Sequence, residues 1–433
     1  MTEILNLLFL TFILLWICQF PLCKNDFYKP ITQNLNTLEL MSFNLSIILT
    51  VLLILSFWTF NLNHLFWILI FLPLLNLIKK KYQINLAQLL LLAFSTFVTI
   101  IYIAANLKLE WDGQLWIFKT INFYNENNFN NLSNIPGFIT YPHLGTFIWA
   151  FIWKNSFIDH EYTGRIFYVF SYCLSLILVI SEKKLELTHK LLLLIIFFIF
   201  SIDYYLLGGY QEYLVFSFLI FIFYFYHKYF IYSKSTYLIP VILFINAALW
   251  IKNEASIFVI FFLVYIASHH VLKKRKIKIE IVYVFIVSFI LIFLKYIIFY
   301  KYFNAINTGW NGYNINPLKT LFSFTYFFER AYFIFFSIFV SLIKCKIYLL
   351  FFLSVIFLST KNNFKSLLPY LIFFILNITF ISLIYYCTNN ADWKTYMATT
   401  VDRLLIQTSG IYLIIIYELI TFNILKNDKT TNQ

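Results

Sequence analysis

The chain has 433 residues and a formal net charge of +13, with 61% hydrophobic and only 12% charged residues, and its mean hydropathy is +0.80. Soluble globular chains carry roughly a quarter charged residues, so this composition excludes a water-exposed surface wrapped around globular domains. In a soluble protein the positive excess would suggest a polyanionic partner; here it is read as the charge that retains loops on the cytoplasmic side, and no nucleic-acid partner is expected.

A membrane span needs about 20 mostly apolar residues. Such runs occupy residues 4–20, 43–60, 64–78, 86–105, 165–181, 191–207, 212–226, 237–250, 255–271, 279–300, 348–359, 367–386 and 404–422. They are continuously apolar rather than alternating, which favours helices over barrel strands. The expected fold class is all-α, a polytopic transmembrane helical bundle of about 12–14 spans. The first run follows Glu3 with no Lys or Arg before it, unlike a signal peptide, and reads as an uncleaved span with its N-terminus outside. Cys18, Cys23, Cys173, Cys345 and Cys387 lie in or beside apolar runs without metal-ligand spacing, and read as small apolar fillers.

Basic clusters set the orientation. Lys79, Lys80 and Lys81, then Lys183, Lys184 and Lys190, then the run from Lys273 to Lys278 are expected on the cytoplasmic face. That assignment puts residues 106–164, 208–211, 251–254 and 389–403 outside. Residues 334–343 are taken as a half-embedded helix, because a full span there would invert everything downstream. Residues 1–85 read as N-terminal transmembrane helices, 86–423 as the main membrane region with its outer loop at 106–164, and 424–433 as a cytoplasmic tail. No Gly-rich phosphate loop and no HExxH motif is present.

The acidic residues number 19, and in chain order they collect at the outer helix ends. Glu110-Trp111-Asp112 opens the long outer loop directly after a span. Lys119, seven residues past Asp112, shares its face if a helix starts there. Tyr141-Pro142-His143-Leu144 opens a short aromatic segment ending at Trp153, too short to span and expected at the interface. Glu161 and Arg165 follow at a spacing of four, then Gly208-Gly209-Tyr210-Gln211-Glu212, then Lys252-Asn253-Glu254, and finally Asp392, Asp402 and Arg403. Ionisable groups at the hydrocarbon edge cost several kcal/mol unless paired or wet, so the pattern suggests one shared polar cavity.

Plainer roles exist for most of these residues. Trp111, Tyr141 and Trp153 suit an interfacial aromatic belt, Lys119 and Lys252 suit snorkelling anchors, and Glu161 with Arg165 suits a helix-capping ion pair. His143 after Pro142 is ambiguous, while His64, His227, His269 and His270 read as boundary residues. Asp112 resists a plain reading, since an acid beside a bulky Trp at a span's end adds no packing. Glu110 with Asp112 could share a divalent cation, but no third ligand lies nearby, and no cofactor is expected with certainty.

The ordered set "EWDGQLWIFKTINFY", "YPHLGTFIWAFIW", "EYTGRIFYVFSYCLSLI", "GYQE" at 209–212, "KNEA" at 252–255 and "TVDR" at 400–403 resembles the GT-C fold glycosyltransferases. It is most similar to a bacterial branch of largely uncharacterised members that take sugars from polyprenyl-phosphate carriers. The resemblance covers about residues 86 to 423. Gln211 and Glu212 replace a small-acid pair, Ala255 stands for Gly and Thr400 for Ser, which bears on the choice of substrate. The resemblance implies that Asp112, supported by Glu110, activates the hydroxyl of a glycan or lipid acceptor, with inversion at the anomeric carbon. A lipid phosphate would leave, and Lys119, Arg165, Lys252 and Arg403 are the cations suited to it. Trp111, Tyr141, His143, Glu161, Gln211, Glu212, Glu254 and Asp402 would line the substrate cavity. The expected location is a bacterial cytoplasmic membrane with the site facing outward. A transporter or flippase of lipid-linked saccharides, a ligase or polymerase of them, and a membrane scaffold are the competing classes.

Overall fold

The computed structural model describes residues 2–19, 35–59, 61–77, 85–104, 108–135, 141–181, 185–206, 208–274, 276–303, 324–359, 361–387 and 393–431. Among these the chain forms seventeen α-helices, four short 3-10 turns and no strand. Lys79 to Lys81, Lys183, Lys184, Cys23 and Asp392 lie outside the described residues. The helices are α1 (Thr2–Ile17), α2 (Thr37–Leu55), α3 (Leu62–Leu77), α4 (Leu86–Ala104), α5 (Trp111–Tyr124), α6 (Leu144–Lys154), α7 (Ile166–Ile180), α8 (Leu187–Ser201) and α9 (Glu212–Tyr232). They continue as α10 (Leu238–Leu249), α11 (Ala255–Leu272), α12 (Ile279–Phe303), α13 (Phe324–Lys344), α14 (Lys346–Leu358), α15 (Lys361–Cys387), α16 (Trp393–Ser409) and α17 (Ile411–Thr431).

Six helical segments are long and apolar enough to cross a membrane, or eight counting two bent pairs, among the described residues. This is fewer than the 12–14 expected from apolar runs. The reason is length: α1, with 16 residues, rises about 24 Å, short of a hydrocarbon core of about 30 Å. Residues 334–343 are part of a longer helix. They belong to α13, whose segment Arg330–Lys344 continues after a bend of 84° into α14. The second bend, of 47°, separates α16 from α17.

The chain divides into two compact units. The first comprises Met1–Lys183, Ile202–Ala255 and Ile286–Ala305. Its core is α7 and α9, whose apolar windows are 100% and 89% buried. There α9 packs on α7 and α10, α10 on α2, α1 and α4 on α7, and α5 on α6. The α6 segment is packed inside the unit. Every residue from Leu144 to Ile152 is buried, in keeping with a helix whose apolar residues surround it on all sides.

The second unit comprises Lys184–Ser201, Ser256–Phe285 and Ile306–Gln433. Within it α13 packs on α14, α15 and α16, and α14 on α17 and α8. On α13 the exposed side is Phe328, Tyr332, Phe335, Phe336, Phe339 and Ile343, while Arg330, Ile334 and Ile338 are buried. Water does not tolerate such an aromatic face, whereas lipid does. Together with the long apolar helices, such faces suit a multi-pass helical membrane protein.

Candidate functional site

The first unit brings motifs far apart in the sequence into contact through positions that lack side chains. Glu110 is the N-cap residue of α5, and its backbone N–H donates to Gly208 O at 2.9 Å. A Cβ added to Gly113 would meet Gly208 O at 2.4 Å, and one added to Gly209 would meet the Gly113 Cα at 2.7 Å. Gly209 also has φ +85, a left-handed conformation that favours glycine. The start of α5 therefore lies on the backbone of the Gly208-Gly209 turn, and that turn feeds Gln211 and Glu212 into the head of α9. The 141–145 segment is tied to the 250–254 turn, as Leu144 N–H donates to Trp250 O at 3.0 Å.

At the centre is a buried ion pair. Lys252 Nζ donates to Glu212 Oε1 at 2.9 Å, with side-chain exposures of 3% and 1%. A carboxylate in the first turn of α9 is also favoured by the positive end of the helix dipole. Lys252 Nζ lies 5.8 Å from the Trp116 ring centroid, and Lys119 Nζ lies 5.2 Å from the same ring. Lys119 donates to Tyr141 O at 2.8 Å, and the Tyr141 ring meets Trp116 edge-on at 5.1 Å. Burial pushes the Lys119 ammonium down to about 7. Lys295 Nζ donates to Lys252 O at 3.3 Å.

Asp112, half-buried, stands in the first turn of α5. Trp116 is four residues on and Lys119 seven, so the three share a strip within about 60° of arc. The expectation that Asp112 and Lys119 share a helix face thus holds, with Trp116 between them.

Behind this strip, Arg165 Nη2 donates to Glu161 Oε1 at 2.8 Å, the pair expected from their spacing. The Arg165 guanidinium lies 5.7 Å from the Trp149 ring, and Trp149 Nε1 donates to Glu161 O at 2.7 Å. His143 is fully buried, its Nε2 at 2.6 Å from Ser56 Oγ, among the rings of Phe57, Phe129 and Trp250. Burial, helped by the nearby Lys119 charge, pushes its imidazole down to about 3, so it is neutral at ordinary pH. Glu254 is half-buried and interacts electrostatically with Lys295.

Of the residues singled out in the sequence, Glu110, Asp112, Lys119, Tyr141, His143, Glu161, Arg165, Gln211, Glu212, Lys252 and Glu254 all belong to the first unit, as does Trp111, which opens α5. Asp402 and Arg403 belong to the second. There Asp402 Oδ2 lies 3.7 Å from the exposed Lys344 Nζ. Three proposed phosphate ligands have internal partners: Lys252 and Arg165 each meet a carboxylate, while Lys119 meets a carbonyl.

Sequence reasoning passed over Trp116, Gly113 and Lys295. Lys295 carried a signal, since a lysine inside an apolar run is rarely there without a polar partner. Gly113 follows Asp112 directly, but a lone glycine does not announce which backbone it meets. Among the described residues no group of three or more His, Cys, Asp or Glu side chains could hold a metal ion. Compared with protein-family models, curated proteins and solved structures, the chain shows no match.

Proposed function

We propose that this protein is a GT-C-type membrane glycosyltransferase that moves a sugar from a polyprenyl-phosphate carrier to a hydroxyl of a glycan or lipid. The observation that carries the reading is the meeting of the 110–113, 141–145, 208–212 and 250–254 motifs around the buried Glu212–Lys252 pair. They are four of the segments on which the sequence resemblance rests; the 400–403 segment belongs to the second unit.

In this reading Asp112 accepts the proton of the acceptor hydroxyl. The acceptor oxygen forms a bond to the anomeric carbon from the face opposite the phosphate. The bond from that carbon to the phosphate oxygen breaks, and its electron pair leaves with the lipid phosphate, so the configuration inverts. A cation must meet the developing charge. Lys119 suits this best, because it lies on the face of Asp112 and donates to a carbonyl oxygen of Tyr141 rather than to a carboxylate. Lys252, already opposite Glu212, would hold the pocket's shape. With the Lys-rich runs taken as cytoplasmic, this chemistry would lie on the extracytoplasmic side of a bacterial cytoplasmic membrane.

The test is transfer from polyprenyl-phosphate sugars by the purified protein in liposomes. Asp112→Asn keeps shape and removes the base, so transfer should fall by about 10²–10⁴-fold with unchanged yield; Glu110→Gln should be milder. Near-normal transfer by Asp112→Asn would overturn the mechanism. A second reading, a transporter of lipid-linked saccharide, is favoured by the bent pairs of 84° and 47°, since carriers build sites from broken helices. Sugar that crosses the bilayer still attached to its carrier, with no new glycosidic bond, would select it.

A further inference from the structure

Gln211 is completely buried, and neither its side-chain oxygen nor its side-chain nitrogen has a hydrogen-bond partner among the described residues. Buried carboxamides are almost always paired, so one with both ends unmet asks for an explanation. As the N-cap residue of α9 it could bond the helix's own free N–H groups, yet it makes no such side-chain bond. Instead the carboxamide lies against Gly145, where an added Cβ would stand 2.6 Å from Oε1 and 3.1 Å from Nε2. The side chain is thus turned away from its own helix and toward the 141–145 segment. It stands next to Glu212, hence beside the ion pair with Lys252.

Other unmet polar atoms belong to the same motifs: His143 Nδ1, Glu161 Oε2 and Glu254 Oε2. Carboxylate oxygens only accept, whereas the carboxamide both donates and accepts. A ligand that answers the carboxamide must offer neighbouring groups able both to donate and to accept. Sugar hydroxyls do both.

Building on the glycosyltransferase reading, we propose that Gln211 is the specificity-determining residue for the transferred sugar. Its Nε2 donates to one hydroxyl of the glycosyl unit and its Oε1 accepts from the neighbouring one. Gly145 is part of the same device, because any side chain there would displace the carboxamide.

The experiment measures both binding and transfer, using short-chain polyprenyl phosphates that carry glucose, galactose or mannose, and the monodeoxy forms of whichever is bound best. Wild type should lose about ten- to hundredfold in kcat/KM and in binding at two adjacent deoxy positions. In Gln211→Leu that discrimination should vanish at those two positions and persist at the others. Gly145→Ala, which keeps Gln211 but moves its end, should show the same selective loss and serves if the Leu variant does not fold. A uniform fall across all sugars, or unchanged discrimination, would overturn the proposal while leaving the glycosyltransferase reading intact. Selective binding with no transfer would keep the sugar site and sink the transferase; neither binding nor transfer would sink both.

Discussion

The two ends of α9 each carry a buried ion pair, and they differ in how completely they are satisfied. Lys228 lies sixteen residues from Glu212, about 24 Å along the helix, and its Nζ is 3.1 Å from Glu39 Oε1. That carboxylate is fully engaged. Oε1 also accepts from the Tyr224 hydroxyl at 2.8 Å, and Oε2 accepts from the Asn36 N–H at 2.9 Å in a capping box at the start of α2. At the other end, the motifs that meet at the Glu212–Lys252 pair carry atoms without partners among the described residues, on Gln211, His143, Glu161 and Glu254. A buried ion pair alone therefore does not mark a site, since the same chemistry fastens a helix at Glu39. Hydrogen-bonding capacity left over within the fold is what separates the two.

The sharpest way to break this comparison is to disable each end in turn. Glu39→Gln leaves Lys228 buried without a counter-charge, which should cost about 3–5 kcal/mol of stability, while the folded fraction keeps its specific activity. Glu212→Gln should lose stability and transfer together. Thermal unfolding in detergent alongside transfer per folded molecule separates the cases; full activity in folded Glu212→Gln would make both ends merely structural.

A second test uses pH. Burial sets the Lys119 ammonium at about 7, from an ordinary 10.5. Between these values the unfolded chain binds more protons than the folded one, so this group makes stability rise with pH across that window. Its charge is lost over the same range. Transfer that depends on this cation should fall about tenfold per pH unit above about 7, while stability does not. Lys119→Arg keeps its charge and should carry the alkaline limb upward; a limb that stays in place would remove Lys119 from the leaving-group role.

The smallest expected effect lies in the second unit. The Asp402–Lys344 pair is long and partly exposed, 3.7 Å with Lys344 at 63%, so Asp402→Asn should change stability by only about 0–1 kcal/mol and leave transfer near normal. A tenfold loss of transfer at unchanged stability would give α16 a part in transfer and remove the contrast.

Helical class and membrane character were legible from the sequence, because continuous apolar runs leave a backbone in lipid no option but internal hydrogen bonds. So were the local pieces of the candidate site: the shared face of Asp112 and Lys119, the Glu161–Arg165 pair and the breaks before Glu212 and after Trp250 all follow from helical period and chain punctuation. The number of helices long enough to span was not legible, since hydropathy marks α1 and α9 alike although only α9 has the length. Nor was the choice of partners. Lys252 pairs with Glu212, forty residues away, and Gly113 meets Gly208, because α5 and the head of α9 approach through backbone with no side chain between them. Such contacts carry no periodic signal. Which charges become fastened, as at Glu39, and which groups keep capacity to spare, as at Gln211, was decided only when packing fixed what each buried atom could reach.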